Sequence, residues 1–318
     1  MFLQACRRTY NRVTGQPRWR EYVTKDAIRA PRHQAPLSSM LTHRLPRVAL
    51  GLLLSAGIST LAYRRRSLDR SGVAGAVITG TSTFGLGGNS WGLSLIFFFV
   101  SSSLFSHFRA QEKAATAADK FSKGAQRDFT QVMANGGVAS LLASAHAFSS
   151  NTQASQALHA GYIGALATAN ADTWATELGV LSPHAPRLIT NGRVTTPGTS
   201  GGITPLGTTA SAAGALSLGL FNWLMQPRDR FARRLPLIAL LSGLTGSLFD
   251  SLLGATVQAM YYCPQCAKET ERRVHNCGTP TLFLRGSRHI NNDTVNFLAT
   301  LCGSIVAIFL ARGTSRAH

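Results

Sequence analysis

Asn170-Ala171-Asp172-Thr173-Trp174-Ala175-Thr176-Glu177-Leu178-Gly179 sets two carboxylates and an asparagine into an otherwise apolar run that begins near Gln156. The run is long enough to cross a bilayer. An ionised side chain at the middle of such a helix costs about 2.5–3.5 kcal/mol on insertion scales, so acids there mark a functional site. The plainer reading is a satisfied polar pair that holds helices together. On one helix Asn170, Thr173 and Glu177 share a face, spaced i, i+3, i+7. Asp172 points roughly 140° away from Glu177 at about 100° per residue. Both carboxylates can serve one site only if the helix breaks or lies between two partner surfaces. Trp174 reads as a packing or interface residue.

Composition supports a membrane setting. Of 318 residues, 45% are apolar and 14% charged, against about a quarter charged in soluble proteins. The net charge of +19, from 32 Lys+Arg and 13 Asp+Glu, fits nucleic acid or an anionic lipid surface. The basic residues flank apolar runs and do not form a stripe interleaved with aromatics, which speaks for lipid and against nucleic acid. Five cysteines form an odd and scattered set, not a disulfide framework.

Outward from the central run, the apolar segments are Val48–Tyr63, Ser71–Gly88, Trp91–Phe108, Gln131–Phe148, Gln156–Val180, Gly202–Leu224, Leu235–Met260 and Asn291–Leu310. A span needs about 20 residues. The expectation is an all-α polytopic integral membrane bundle of about six to eight transmembrane helices, without strands. Glycine and other small residues recur in these segments, as close helix packing in lipid requires. Residues 48–311 form the multi-pass domain and 312–318 a tail. Residues 1–47 form a basic leader that reads either as an organelle transit peptide or as a disordered tail facing anionic lipid. The membrane is accordingly that of an organelle, mitochondrial or plastid, or the endoplasmic reticulum.

Eight spans place loops 64–70, 109–130, 181–201 and 261–290 on one side. These hold most of the Lys and Arg outside the leader, so the positive-inside rule makes that side cytosolic or its organelle equivalent. The leader falls on the opposite side, which conflicts with the rule unless it is removed or the first segment does not span.

Polar elements gather on the basic side. Lys123-Gly124-Ala125-Gln126-Arg127-Asp128 leads to Gln131 and Asn135-Gly136-Gly137, and Lys and Arg beside glycine can hold phosphate. Asp172 and Glu177 could bind Mg²⁺, which takes one or two carboxylates plus substrate phosphates. Pro197-Gly198-Thr199-Ser200-Gly201-Gly202-Ile203-Thr204 precedes an apolar helix and could form a backbone anion nest. It is not a P-loop, because no Lys-Ser/Thr pair follows. Asp250 is a third acid in apolar sequence, with Gly246 and Gly254 one turn away on each side. Asn292 and Asn296 open the last helix, and His289 reads as a surface histidine. Cys263, Cys266, His275 and Cys277 could bind zinc as Cys₃His or stand as reduced loop thiols. Cys6 and Cys302 look incidental.

Several of these motifs occur together in order. They are Gly124-x-Gln126-Arg127-Asp128-x-x-Gln131-Val132 with Asn135-Gly136, then Ala171-Asp172-Thr173-Trp174-Ala175-x-Glu177-x-Gly179, then Pro186-Arg187-Leu188-Ile189. Val194-x-x-Pro197-Gly198-Thr199-x-Gly201-Gly202, Gly246-Ser247-x-x-Asp250-Ser251 with Gly254-Ala255-Thr256-x-Gln258, and Asn292-x-x-Val295-Asn296 follow. The set resembles the transmembrane protein 19 family, also called the domain of unknown function 92 family, over about residues 65–311. The resemblance implies a multi-pass membrane protein. The family includes the plant phytyl-phosphate kinase, which makes phytyl diphosphate with a nucleoside triphosphate. The cysteine cluster is not a feature the resemblance implies.

The expected function is therefore phosphorylation of an isoprenoid-lipid phosphate by a nucleoside triphosphate such as CTP or ATP. Asp172, Glu177 and Asp250 would be the catalytic acids, with Mg²⁺ on Asp172 and Glu177. Lys123, Arg127, Asn135, Asn170, Arg187, Gly198, Thr199, Gly201, Gly202, Asn292 and Asn296 would bind lipid phosphate and nucleotide. The alternatives are an ion-coupled transporter or lipid carrier without catalytic activity, and a non-catalytic scaffold. The oligomeric state is not legible.

Overall fold

A computed structural model describes residues 44–117, 126–227 and 229–313. Nearly all of the basic leader, Cys6, Lys123, Gly124 and the last residues of the tail lie outside the described residues. The protein is mostly helical. Leu45–Arg64 forms α1, with proline in its first turn, where a missing N–H costs nothing. Arg70–Thr81 forms α2, capped by the Asp69 carboxylate, which accepts from Gly72 N at 2.7 Å. It continues into a π-helical turn, Ser82–Gly87, that stops at Gly88 with φ 108°. Asn89–His107 is α3 and Ala110–Ala117 is α4, a short helix inside the expected charged loop. Phe129–Ala147, α5, starts with a capping box between Asp128 and Gln131, which satisfies two orphan N–H groups. Thr152–Gly179 is α6, Pro205–Leu224 is α7, Leu235–Thr256 is α8 and Asn292–Gly313 is α9.

The bundle is built around α6. Its residues Ala160, Gly161, Gly164, Ala165, Ala167, Thr168, Ala169 and Ala171 are all buried, and α3, α5, α7, α8 and α9 all pack against it. Small side chains let these helices approach closely. A Cβ on Gly164 would meet Ala307 and the Gly303 carbonyl, and one on Gly303 would collide with the Thr168 hydroxyl.

Among the described residues, four helices are both long and apolar enough to cross a membrane: Leu45–Arg64, Asn89–His107, Ala232–Thr256 and Asn292–Arg312. Three further helices have the length, α5 with 19 residues, α6 with 28 and α7 with 20. At about 1.5 Å per residue, 19 residues reach about 28 Å. Their hydropathy is lowered by Gly, Ser and Thr, small residues that let them occupy the crowded centre, and in α6 also by Gln156, His159, Asn170, Asp172 and Glu177.

The expectation of no strands is corrected by two small antiparallel sheets in the loops. Arg187–Leu188 (β1) pairs with Gly202–Ile203 (β2). Met260–Cys263 (β3) lies between Lys268–Thr270 (β4) and Leu282–Arg285 (β5). Segments this short carry no readable period-two pattern.

The loops that the charge rule groups together do meet. Arg127 N donates to Ser67 O at 3.0 Å, and Asp69 N donates to Arg127 O at 3.1 Å. The Thr130 hydroxyl donates to Asp293 at 2.8 Å. Ser200 donates to Gln258 at 2.9 Å, and Arg285 donates to Ser200 O at 3.3 Å.

Candidate functional site

Where these loops meet the helix ends there is a polar cavity of about 280 Å³. Its walls include Asp172, Thr176 and Glu177 from α6, and Ser211 from α7. Ser247, Asp250 and Ser251 of α8 and Asn292 and Asn296 of α9 complete the helical side. Arg127, Gln131, Asn135, the turn Pro197–Thr204 and Glu271 complete the remainder. Helix α6 is unbroken from Thr152 to Gly179. Asp172 and Glu177 both reach the cavity because α6 lies among its partners and exposes a broad arc to the opening.

The two acids of α6 differ in their surroundings. Glu177 is ion-paired with Lys113 of α4, and it accepts from the Ser106 hydroxyl at 2.7 Å. Lys113 also donates to the carbonyls of Phe105 and Ser106, at 2.6 and 3.0 Å. Its ammonium thus sits at the C-terminal end of α3, where the helix dipole favours a cation. Among the described residues, Asp172 and Asp250 have no such cation. The charges of Asp172 and Glu271 both bear on Asp250. Asp250 Oδ2 and the Ser211 hydroxyl are buried and have no hydrogen-bond partner among the described residues. Buried polar atoms are ordinarily paired, so orphans in a cavity wall point to a bound group.

Arg127 is half-buried. Its guanidinium lies 5.9 and 5.7 Å from the ring centres of Phe98 and Phe99. Burial lowers its pKa from the usual guanidinium value, and the charge of Glu177 works in the opposite direction. Arginine keeps its charge under such shifts. Asn135 donates to the Gln131 carbonyl at 3.0 Å, which leaves its own carbonyl oxygen for the cavity.

The glycine-rich turn is shaped by its backbone. Gly198 and Gly201 have φ of 77° and 82°, a region that favours glycine. A Cβ on Gly201 would also run into Ala255. Gly202 N donates to Thr199 O at 2.9 Å, and Thr204 caps α7 through Gly207 N at 2.9 Å. The Thr199 hydroxyl is engaged by those of Thr195 and Thr196, each at 3.1 Å.

A second cavity of about 70 Å³ adjoins the first, between α1, α2, α3 and α5. Its lining is apolar, with Ile58, Ala62, Phe84, Leu95, Phe98 and Phe99, and it shares Arg127, Gln131 and Asn135 with the polar cavity.

The sequence-predicted residues divide cleanly by position. Asp172, Glu177, Asp250, Arg127, Asn135, Gly198, Thr199, Gly201, Gly202, Asn292 and Asn296 line the polar cavity. Lys123 lies outside the described residues. Asn170 does not line the cavity: it is fully buried, accepts from Ser101 at 2.9 Å and donates to Gly214 O at 2.8 Å. It ties α3 and α7 to α6. Arg187 is exposed and donates to Gly192 O at 2.9 Å, outside the cavity wall. Cys263, Cys266, His275 and Cys277 form a separate cluster. Lys113, Ser211 and Glu271 were missed. Lys113 and Glu271 sit in charged stretches where nothing distinguishes them, and Ser211 is one hydroxyl among many in α7.

Comparison with known proteins agrees with the motif resemblance. The chain is 33% identical to Protein PGR of Arabidopsis thaliana over 278 residues, covering 82% of this chain and 94% of the plant protein. It is 31% identical to an uncharacterized membrane protein of Methanocaldococcus jannaschii over 266 residues, covering 84% of this chain and 95% of the archaeal one. No solved structure matches. The profile described as integral membrane protein DUF92 matches residues 53–304, which takes in every residue that lines the polar cavity. The chain belongs to the integral membrane protein DUF92 family.

Proposed function

We propose that the chain is a membrane-embedded kinase that transfers a phosphoryl group from a nucleoside triphosphate to an isoprenoid-lipid monophosphate of the phytyl type. The observation that carries this reading is the pair of adjoining cavities, one polar and acidic, one apolar, divided by Arg127, Gln131 and Asn135. A lipid phosphate has the same division. Its head would lie beside Arg127 in the polar cavity and the start of its chain in the apolar one. In this reading α2 with its π-helical turn, α1, α3 and α5 to α9 all cross the bilayer.

The acceptor needs little activation. A phosphate monoester has its second pKa near 6, so its oxygen is already anionic at neutral pH. That oxygen attacks the terminal phosphorus of the donor, the new O–P bond forms and the bond to the bridging oxygen breaks. The nucleoside diphosphate leaves with the electron pair. The task of the protein is to bring anions together and neutralise them. Arg127 supplies a fixed cation at the boundary. The turn Gly198–Gly202 supplies backbone N–H groups for donor phosphates.

The acids fit a divalent cation in one arrangement better than in another. Asp172 and Asp250 face the cavity without a cation among the described residues, and Asp250 Oδ2 is unpartnered. They would hold Mg²⁺ between protein and phosphates, as that ion prefers. When bound it would supply charge neutralisation on the transferring group. Glu177 fits less well as a ligand, because Lys113 already occupies it.

The test uses full-length protein in mild detergent with phytyl or farnesyl monophosphate, Mg²⁺ and radiolabelled CTP or ATP. Label is expected in a lipid diphosphate, and it should vanish in Asp172→Asn and Asp250→Asn while both variants still insert and fold. Absence of label with every prenyl phosphate, from folded protein, would sink the kinase reading. Nucleotide-independent solute uptake into proteoliposomes would then point to a carrier.

A further inference from the structure

We infer that Cys263, Cys266, His275 and Cys277 form a structural zinc site that fixes the loop between α8 and α9. One possible ligand atom from each residue lies within 4.8 Å of all the others. Cys263 Sγ and Cys277 Sγ are 3.6 Å apart, and His275 Nδ1 is 3.2 Å from Cys277 Sγ. A tetrahedral zinc with bonds of about 2.3 Å to sulfur and 2.0–2.1 Å to nitrogen has edges of about 3.8 and 3.6 Å. The four side chains therefore already enclose a volume of the right size, and only small adjustments separate them from coordination.

The backbone shows how each half is held. Cys263 ends β3 and Cys266 lies in the hairpin turn, followed by Ala267 at φ 54° and then β4. This is the Cys-x-x-Cys knuckle, with both sulfurs turned to one side of a tight bend. The other pair comes from a second turn, in which Gly278 N donates to His275 O at 2.9 Å and His275 N donates to Thr279 O at 3.0 Å. Gly278 has φ 83°. Val274 and Pro280 close this turn as an isolated bridge. Two separate turns thus converge on one point, which loop thiols without a ligand have no reason to do.

The donor set also argues against a disulfide. All three thiols are free. A disulfide would use two sulfurs and leave a third sulfur beside a buried imidazole. Zinc uses all four groups, and each thiol loses its proton on binding. Three thiolates, a neutral imidazole and Zn²⁺ sum to a single negative charge, and Lys268, Arg272 and Arg273 lie next to the ligands in sequence.

The site does not depend on the kinase reading, but it bears on the cavity. Glu271 directly follows β4 and lines the polar cavity, where it accepts from Gln258 at 2.8 Å. A metal held by Cys266 before β4 and by His275 after it would pin both flanks of the segment that carries Glu271.

The test is elemental analysis of full-length protein purified in detergent from zinc-replete cells without added chelator. One equivalent of zinc per chain is expected, retained in Cys302→Ser and lost in Cys266→Ser. Should Cys266→Ser fail to accumulate, the wild-type protein stripped of metal and supplied with Co²⁺ alone should show the visible d–d and thiolate charge-transfer bands of tetrahedral cobalt. Substoichiometric zinc together with no such cobalt spectrum would overturn the inference. So would zinc retained in Cys266→Ser, or a Cys263–Cys277 disulfide mapped in the purified protein.

Discussion

Replacing Lys113 by methionine keeps its hydrocarbon stem and removes the only cation that touches Glu177 among the described residues. Two unit charges about 4 Å apart attract by about 4 kcal/mol at an effective dielectric of about 20. The side chains of Lys113 and Glu177 are 10% and 24% exposed, so water screens part of this, and about half, about 2 kcal/mol, is expected to survive as coupling. Lys113→Met also removes donors from the Phe105 and Ser106 carbonyls, which brings its expected cost to about 3 kcal/mol. Glu177→Gln keeps an acceptor for Ser106 and should cost about 1–2 kcal/mol, mainly by leaving the ammonium unpaired. In the double variant neither charge is stranded, and the loss should fall about 2 kcal/mol short of the sum of the single losses. Equilibrium unfolding of the four proteins in mixed micelles, with denaturing detergent as titrant, measures the cycle. A coupling below about 0.5 kcal/mol would show that the pair is solvated and that Glu177 is available to the cavity after all.

Asn170→Leu should destabilise the bundle by about 1–2 kcal/mol, because the Ser101 and Ser102 hydroxyls lose their shared acceptor and the link to Gly214 O is lost, although Ser217 still donates to that carbonyl at 2.9 Å. Surviving protein should keep its turnover, and a turnover loss at unchanged stability would return Asn170 to the site. On the kinase reading, Arg127→Ala should raise the KM for a lipid phosphate or nucleotide by roughly 10–100-fold, as loss of a charge-assisted hydrogen bond implies. Arg187→Ala should leave it within about twofold, since Arg187 lies outside the cavity; steady-state kinetics decides, and a reversed order would refute the placement. In metal-stripped protein, hydrogen bonds from Thr279, with a further contribution from His275, bring the Cys277 thiol down to about 6. A hydrogen bond with Cys277, followed by burial, pushes Cys266 up to about 11. Iodoacetamide should therefore label Cys277 faster at neutral pH, with a rate that levels off above about pH 6 while that of Cys266 keeps rising toward about pH 11. Peptide mass spectrometry reads both, and equal rates at neutral pH would refute the assignment.

The sequence was most informative where the cost of burying charge is high. Asp172, Glu177 and Asp250 stood out in apolar runs, and all three face one cavity. Arc geometry on α6 also posed the right question, since 140° between two acids demands neighbours on more than one side, and α6 has them. Asn170 was misplaced because an amide in an apolar run looks the same whether it meets a ligand or a neighbouring helix; only the partners Ser101 and Gly214, far away in sequence, decide. Arg187 was carried by its motif, but β1 turns it toward Gly192. The short sheets were invisible because two to four residues carry no period. The central segments Gln131–Phe148, Gln156–Val180 and Gly202–Leu224 were legible as apolar runs, but α5, α6 and α7 exchange bulk for closeness and so fall below the outer helices in hydropathy.

The polar cavity is lined by loops from one end of the bundle only, and this gives the protein a direction. A lipid phosphate whose head rests beside Arg127 must belong to the leaflet on that side. Adding a second phosphate deepens the charge on the head and makes passage through the Ala- and Gly-lined centre of α6 costlier still. On the kinase reading, product is therefore released into the leaflet that supplied the substrate. On the same reading, the compartment facing loops 181–201 and 261–290 would provide the nucleotide, and the opposite compartment would take no part.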